Sequence, residues 1–106
     1  MPASIKSPKA AQAADCQTLA QLPNVGPAMV SDLQLLGVMH PSALVGGDAL
    51  QLYVELERRT GQRQDPCVLD TFMAIVDFMN GAPPRPWWHY TAERKRVHGP
   101  LWSKAA

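Results

Sequence analysis

Six residues, Leu22-Pro23-Asn24-Val25-Gly26-Pro27, leave this chain few ways to fold. Pro23 and Pro27 each lack a backbone N–H and hold φ at a value that suits the first turn of a helix but not its interior. Apolar residues bracket them at helical spacing, Leu19 and Leu22 before, Val30, Leu33 and Leu36 after. That pattern predicts a short helix stopped at Pro23 and a turn in which Gly26 supplies backbone freedom. A second helix then starts with Pro27 at its first position and ends at Gly37. Two helices joined by so few residues must fold back on each other.

The stretch resembles a helix-hairpin-helix motif, L-x-x-L-P-x-(V/I)-G-P from Leu19 to Pro27, followed by an apolar helix and a Gly37-Val38 exit. What the resemblance implies is a seat for a DNA phosphate built mostly from main chain, at Asn24, Val25, Gly26, Ala28 and Met29. The physics agrees, because unpaired N–H groups and the positive end of a helix dipole favour an anion. Such contacts read the backbone and ignore base sequence. Ala28, Met29 and Val30 stand where DNA-binding copies often carry Lys or Arg, so binding is expected to be weak. The alternative is a hairpin that only joins core helices or docks on a protein.

Residues 1–14, rich in Ala, Ser, Pro and Lys without apolar periodicity, read as a mobile tail, with Asp15 as cap of a helix over Cys16 to Gln21. His40-Pro41 opens a short helix to Val45, and Gly46-Gly47 breaks it. Asp48 caps a longer helix in which Ala49, Leu52, Tyr53 and Leu56 share one face, ending at Thr60-Gly61 with Arg58 and Arg59 toward solvent. Helix, glycine turn and helix thus recur, making residues 41–61 a candidate degenerate second hairpin, although Asp48 at its turn repels phosphate. Asp65-Pro66 starts the best apolar stripe in the chain, Val68, Leu69, Phe72, Ile75, Val76 and Met79, stopped by Asn80-Gly81. Asp70 and Asp77 on it read as a solvated edge.

Ala82-Pro83-Pro84-Arg85-Pro86 is a stiff extended connector. A last helix of about three turns is expected over Trp87 to Arg96. Its aromatic and basic residues, Trp87, Trp88, Arg94, Lys95 and Arg96, together with Arg85, are candidates to stack on bases and hold phosphates. One indole is expected to plug the bundle and the other to stay exposed. Residues 97–106 read as a loose C-terminal tail. The fold expected is therefore all-α, a compact bundle of five or six short helices over residues 15–96, built on the hairpin.

The net charge of +1 hides a split. Residues 15–84 hold three arginines against eight carboxylates, whereas residues 85–106 hold five cations against Glu93 alone. An acidic body with basic ends meets nucleic acid only if those ends come to lie beside the hairpin. Two distant cysteines, Cys16 and Cys67, and three scattered histidines give neither a disulfide framework nor zinc-ligand spacing. No metal and no cofactor is expected. Cys67 in a helix's first turn invites thought of a reactive thiol, but Asp65 and Asp70 oppose a thiolate. No apolar run is long enough for a membrane span and no secretory signal is evident, so the cytoplasm is the expected location.

Taken together, Leu22 to Pro27, Asp65-Pro66-Cys67-Val68-Leu69-Asp70-Thr71-Phe72 and Pro86-Trp87-Trp88-His89-Tyr90-Thr91-Ala92-Glu93-Arg94-Lys95 resemble the bacterial pathogenicity-locus family of small helix-hairpin-helix proteins, often labelled mitomycin resistance proteins. The segment to Gly81 is also similar to the C-terminal domain of TfoX/Sxy competence regulators. These resemblances imply an all-α bacterial domain that binds duplex DNA through its phosphates, with a link to DNA damage. The competing expectation is a regulator-type adaptor that meets a protein partner through Trp87, Trp88 and Tyr90. No converging catalytic groups are visible, and an enzyme is not expected.

Overall fold

A computed structural model describes residues 9–105, with side chains described as far as Gly99. Among the described residues there are four α-helices, α1 (Pro27–Leu35), α2 (Ala49–Thr60), α3 (Pro66–Met79) and α4 (Thr91–Ala105). Four 3-10 turns join them, at Ala13–Asp15, Leu19–Gln21, Pro41–Leu44 and Trp87–Tyr90, and no strand occurs among these residues.

The punctuation read from the sequence accounts for most boundaries. Pro27 and Pro66 occupy first-turn positions, and Asp48 and Asp65 cap α2 and α3. The Asp48 carboxylate accepts the Leu50 and Gln51 amides at 2.9 and 3.2 Å, and that of Asp65 accepts the Cys67 amide at 3.0 Å. Gly61 leaves α2 with φ +68, the left-handed cap that a residue with a Cβ resists.

α3 is the hub. Leu69, Phe72, Ile75 and Phe78 are fully buried, and α2, the Trp87–Tyr90 turn, the Pro41–Leu44 turn and α4 all pack against this helix. A helix covered on nearly every side must be apolar nearly all round, and Asp70, also fully buried, is the exception. The expectation of a solvated edge thus holds for Asp77, which is exposed, and fails for Asp70. A buried carboxylate needs partners, and α4 supplies them. Arg94 Nε donates to Asp70 Oδ1 at 2.7 Å and its Nη2 to Oδ2 at 3.3 Å, while Thr91 Oγ1 donates to Oδ2 at 2.7 Å. This pairing docks α4 on α3.

Both chain ends depart from expectation. Ala10 is buried and its amide donates to the Gln21 carbonyl at 2.9 Å, so residues 9–14 pack on the hairpin instead of trailing from it. Residues 1–8 of the expected tail lie outside the described residues. The first hairpin helix shrinks to a 3-10 turn preceded by Thr18, whose amide, with that of Gln17, donates to Gln21 Oε1 at 3.0 and 2.7 Å; Asp15 is not its cap. At the other end α4 continues through the expected tail to Ala105.

Arg58 and Arg59 both pair with Glu55, and Arg59 also donates to the Leu35 carbonyl at 3.1 Å, closing the C-terminus of α1. Hydrogen bonds from Arg58 and then Arg59 hold the Glu55 carboxyl at about 2, well below the usual carboxylate range. A depressed carboxylate stabilises the fold above its unfolded-state pKa and loses that contribution as pH falls through the folded-state value. Thermal melts followed by circular dichroism between pH 5 and 2.5 are therefore expected to fall more shallowly for Glu55→Gln than for the parent.

Candidate nucleic-acid interface

The hairpin turn is built differently from the sequence expectation. Leu22, Pro23, Asn24 and Val25 form a β-turn in which the Val25 amide donates to the Leu22 carbonyl at 3.3 Å. Pro23 and Asn24 are its central residues, and Asn24 takes φ +69, the conformation of the third residue of a type II turn. Gly26 was expected to supply the unusual backbone. It has φ −103 and ψ −176, which is ordinary extended chain, and a Cβ added there would meet nothing within 4 Å. Nothing in the fold requires glycine at position 26. Its missing side chain leaves open space beside the first turn of α1.

Donors at this turn divide in two. The Val25 amide is taken, and the Asn24 side chain is taken twice, donating to the Arg85 carbonyl at 2.7 Å and accepting the Trp87 amide at 3.2 Å. The amides of Gly26, Ala28 and Met29 have no acceptor among the described residues, and Gly26 and Ala28 are exposed. The neighbouring helices make the contrast plain. α2 and α3 spend a carboxylate on their first amides, whereas α1 begins on a residue with no side chain to offer. The candidate second hairpin is thereby closed to anions, and its Gly46 amide is anchored on Asn80 Oδ1 at 3.0 Å.

Lys9 is the residue that sequence reading missed. Its Nζ donates to the Ala20 carbonyl at 2.8 Å and to the Val25 carbonyl at 2.5 Å. The peptide between Val25 and Gly26 is trans, so its oxygen and its N–H point to opposite sides. Lys9 therefore lies behind the Gly26 amide, where it polarises that peptide and strengthens its N–H as a donor. It also places a positive charge behind the turn that has no cation of its own in sequence. Nothing in the aperiodic segment around Lys9 foretells this contact.

The basic and aromatic candidates separate in space. Arg94 is withdrawn into the pair with Asp70, which takes it out of any phosphate contact. Arg85 lies beside the turn through the Asn24 staple, with Nη1 donating to Tyr90 Oη at 3.4 Å, and Tyr90 Oη donates to Asp77 at 3.0 Å. Lys95 and Arg96 are exposed on α4. Trp87 is half-buried and Trp88 is 64% exposed, the two rings meeting edge-on with centroids 5.6 Å apart. Hence the connector and the backbone of Trp87, but not Arg94, are tied to the hairpin turn.

No group of three or more metal-ligating side chains comes together among the described residues. Burial pushes both thiols up, Cys67 further opposed by Asp65 and Asp70, so neither is a thiolate at neutral pH. No helix among the described residues is long and apolar enough to cross a membrane.

A family model described as Pathogenicity locus matches residues 12–96, which take in the hairpin, the Asn24 staple and the Asp70–Arg94 pair and leave Lys9 outside. The chain is similar to the Mitomycin resistance protein McrB of Streptomyces lavendulae, 43% identical over 83 residues that cover 78% of this chain and 79% of that protein. No solved structure matches the chain. With most of its length matched by the family model and by a relative of this identity, the chain belongs to the Pathogenicity locus family.

Proposed function

We propose that the chain is a non-catalytic module that binds the phosphate backbone of DNA without reading its sequence. One observation carries the reading: three open amides, of Gly26, Ala28 and Met29, at the start of a nine-residue helix whose neighbours cap theirs with carboxylates. A helix start of this kind favours an anion by about 0.3–1 kcal/mol at an exposed site. Lys9 behind the turn and Arg85 beside it add positive charge. The name of the similar Streptomyces protein supports a place for this binding in tolerance of DNA-damaging drugs such as mitomycin.

So few contacts set the scale of the affinity. About two phosphates neutralised, by Lys9 and Arg85, give a slope near −1.8 in log affinity against log salt, a loss of about twelvefold between 50 and 200 mM salt, from a dissociation constant on the order of 10⁻⁴–10⁻⁶ M. Fluorescence anisotropy of a labelled duplex across a salt series, repeated with an unrelated base sequence, tests this. Equal, salt-sensitive binding of both sequences is the expected result, and a flat signal at low salt removes the proposal. The rival reading is a protein-interaction adaptor, favoured by the loss of Arg94 to the core and by the exposed Trp88. It gains if Trp88→Ala abolishes capture of a partner protein while the duplex signal is absent.

A further inference from the structure

We propose that Trp88 is a stacking platform for an unpaired nucleobase, so that the preferred substrate is DNA in which single-stranded bases adjoin a duplex. The proposal rests on the hairpin reading and adds a substrate class to it. Trp88 keeps 64% of its surface exposed within the Trp87–Tyr90 turn. Pro86 precedes the Trp87–Tyr90 turn, the Trp87 and Trp88 rings meet edge-on at 84°, and α4 continues from the turn without interruption. An indole already held in place loses little rotamer freedom on binding.

Its neighbours point to nucleic acid. Asn24 at the hairpin turn accepts the amide of Trp87, so the indole is tied through one residue to the turn that presents the Gly26 amide. With about 3.8 Å between successive Cα atoms and one hydrogen bond joining the two segments, the backbones of Gly26 and Trp88 lie within roughly 20 Å, the length of several nucleotides. On the other side Lys95 follows Trp88 by seven residues, two turns along one continuous helical segment, and both are exposed. The spacing returns Lys95 to about the same side of that helix. Phosphate donors, indole and cation are thus joined in that order, through Asn24 and then along one helical segment. That order fits a strand whose backbone leaves the hairpin and whose next bases are free to stack. Base pairs inside an intact duplex are stacked on each other and offer no free face to an indole.

Anisotropy with the full chain at low salt separates this from the hairpin reading. The probes are a blunt duplex of about 20 base pairs and the same duplex with a short single-stranded overhang. The overhang is expected to bind about tenfold tighter, within what one stacked base supplies. Trp88→Ala should erase that preference and leave blunt-duplex affinity unchanged, with Trp88→Phe keeping part of it. Intrinsic tryptophan fluorescence should be quenched by the overhang probe in the parent and much less in Trp88→Ala. Asn24→Gly, which keeps the left-handed turn but drops the two side-chain bonds to the connector, should weaken the preference as well. Equal affinity for both probes, or a preference that survives Trp88→Ala, overturns the proposal while blunt-duplex binding stands. Absence of binding to either probe overturns both readings and leaves Trp88 to a protein partner.

Discussion

Replacing Arg94 by methionine is expected to destabilise the fold by about 3–5 kcal/mol, because it strands the fully buried Asp70 carboxylate without its guanidinium. For a domain of this size each kcal/mol moves the melting temperature by about 4–8 °C, so the midpoint should drop by at least about 12 °C. Against the roughly 5–15 kcal/mol that holds a typical domain, that is about a fifth of the stability or more. The double replacement Asp70→Leu with Arg94→Met should recover most of the loss, since two packed apolar side chains remove the buried charges together. Calorimetry of the parent, the single and the double variant measures this directly. Should Arg94→Met melt within a few degrees of the parent and yet lose DNA, Arg94 belongs to the interface and its pair with Asp70 does not hold the fold together. The position matters because Arg94, in the run Arg94-Lys95-Arg96, looks from sequence like one cation among three.

Gly26→Asp should move stability and binding in opposite directions. Aspartate at the start of a helix accepts the second or third amide and suits the dipole, and relative to glycine it gains a few tenths of a kcal/mol. The same chain uses this device twice, at Asp48 and Asp65. The extended backbone at position 26 and the empty space around its Cβ position let the side chain enter without strain. Once there, the carboxylate occupies the amides of Ala28 and Met29 and repels phosphate. Melting is expected to rise by a degree or more, while duplex affinity falls by about two- to fivefold from loss of a helix-start seat worth about 0.3–1 kcal/mol, and further from the new like charge beside the phosphate. Retained duplex binding in a well-folded Gly26→Asp protein would sink the hairpin as the phosphate seat. Gly37 supplies the contrast, since its φ of +86 makes any side chain there strained and destabilising with no direct effect on the amides.

How far the residues alone carried the reading is clearest at particular positions. Pro27, Pro66, Asp48, Asp65, Gly61 and Asn80-Gly81 act through their own backbone or nearest amides, so helix starts and stops were legible without any knowledge of the fold. The periodic stripe from Val68 to Met79 likewise named the core helix, because burial of one face follows from 3.6-residue spacing. The hairpin was legible as a turn, but its mechanics were not. Asn24 rather than Gly26 takes the left-handed conformation, which the Pro23-Asn24 pair permits locally, while the side-chain partners of Asn24 some sixty residues away are set only by the packed fold.

Sequence by itself therefore determined the all-helical class, the boundaries of α1 to α3 and the presence of a helix start without a capping side chain. Packing in three dimensions sorted the long side chains between core and surface: Arg94 goes inward to Asp70, Lys9 comes back to the Val25 carbonyl, and Trp88 stays exposed. The reason is range. Caps, turns and helical stripes are set by groups within about four residues of one another, whereas the fate of a long cationic or aromatic side chain is set by whichever distant carboxylate, carbonyl or ring the packed chain brings within reach.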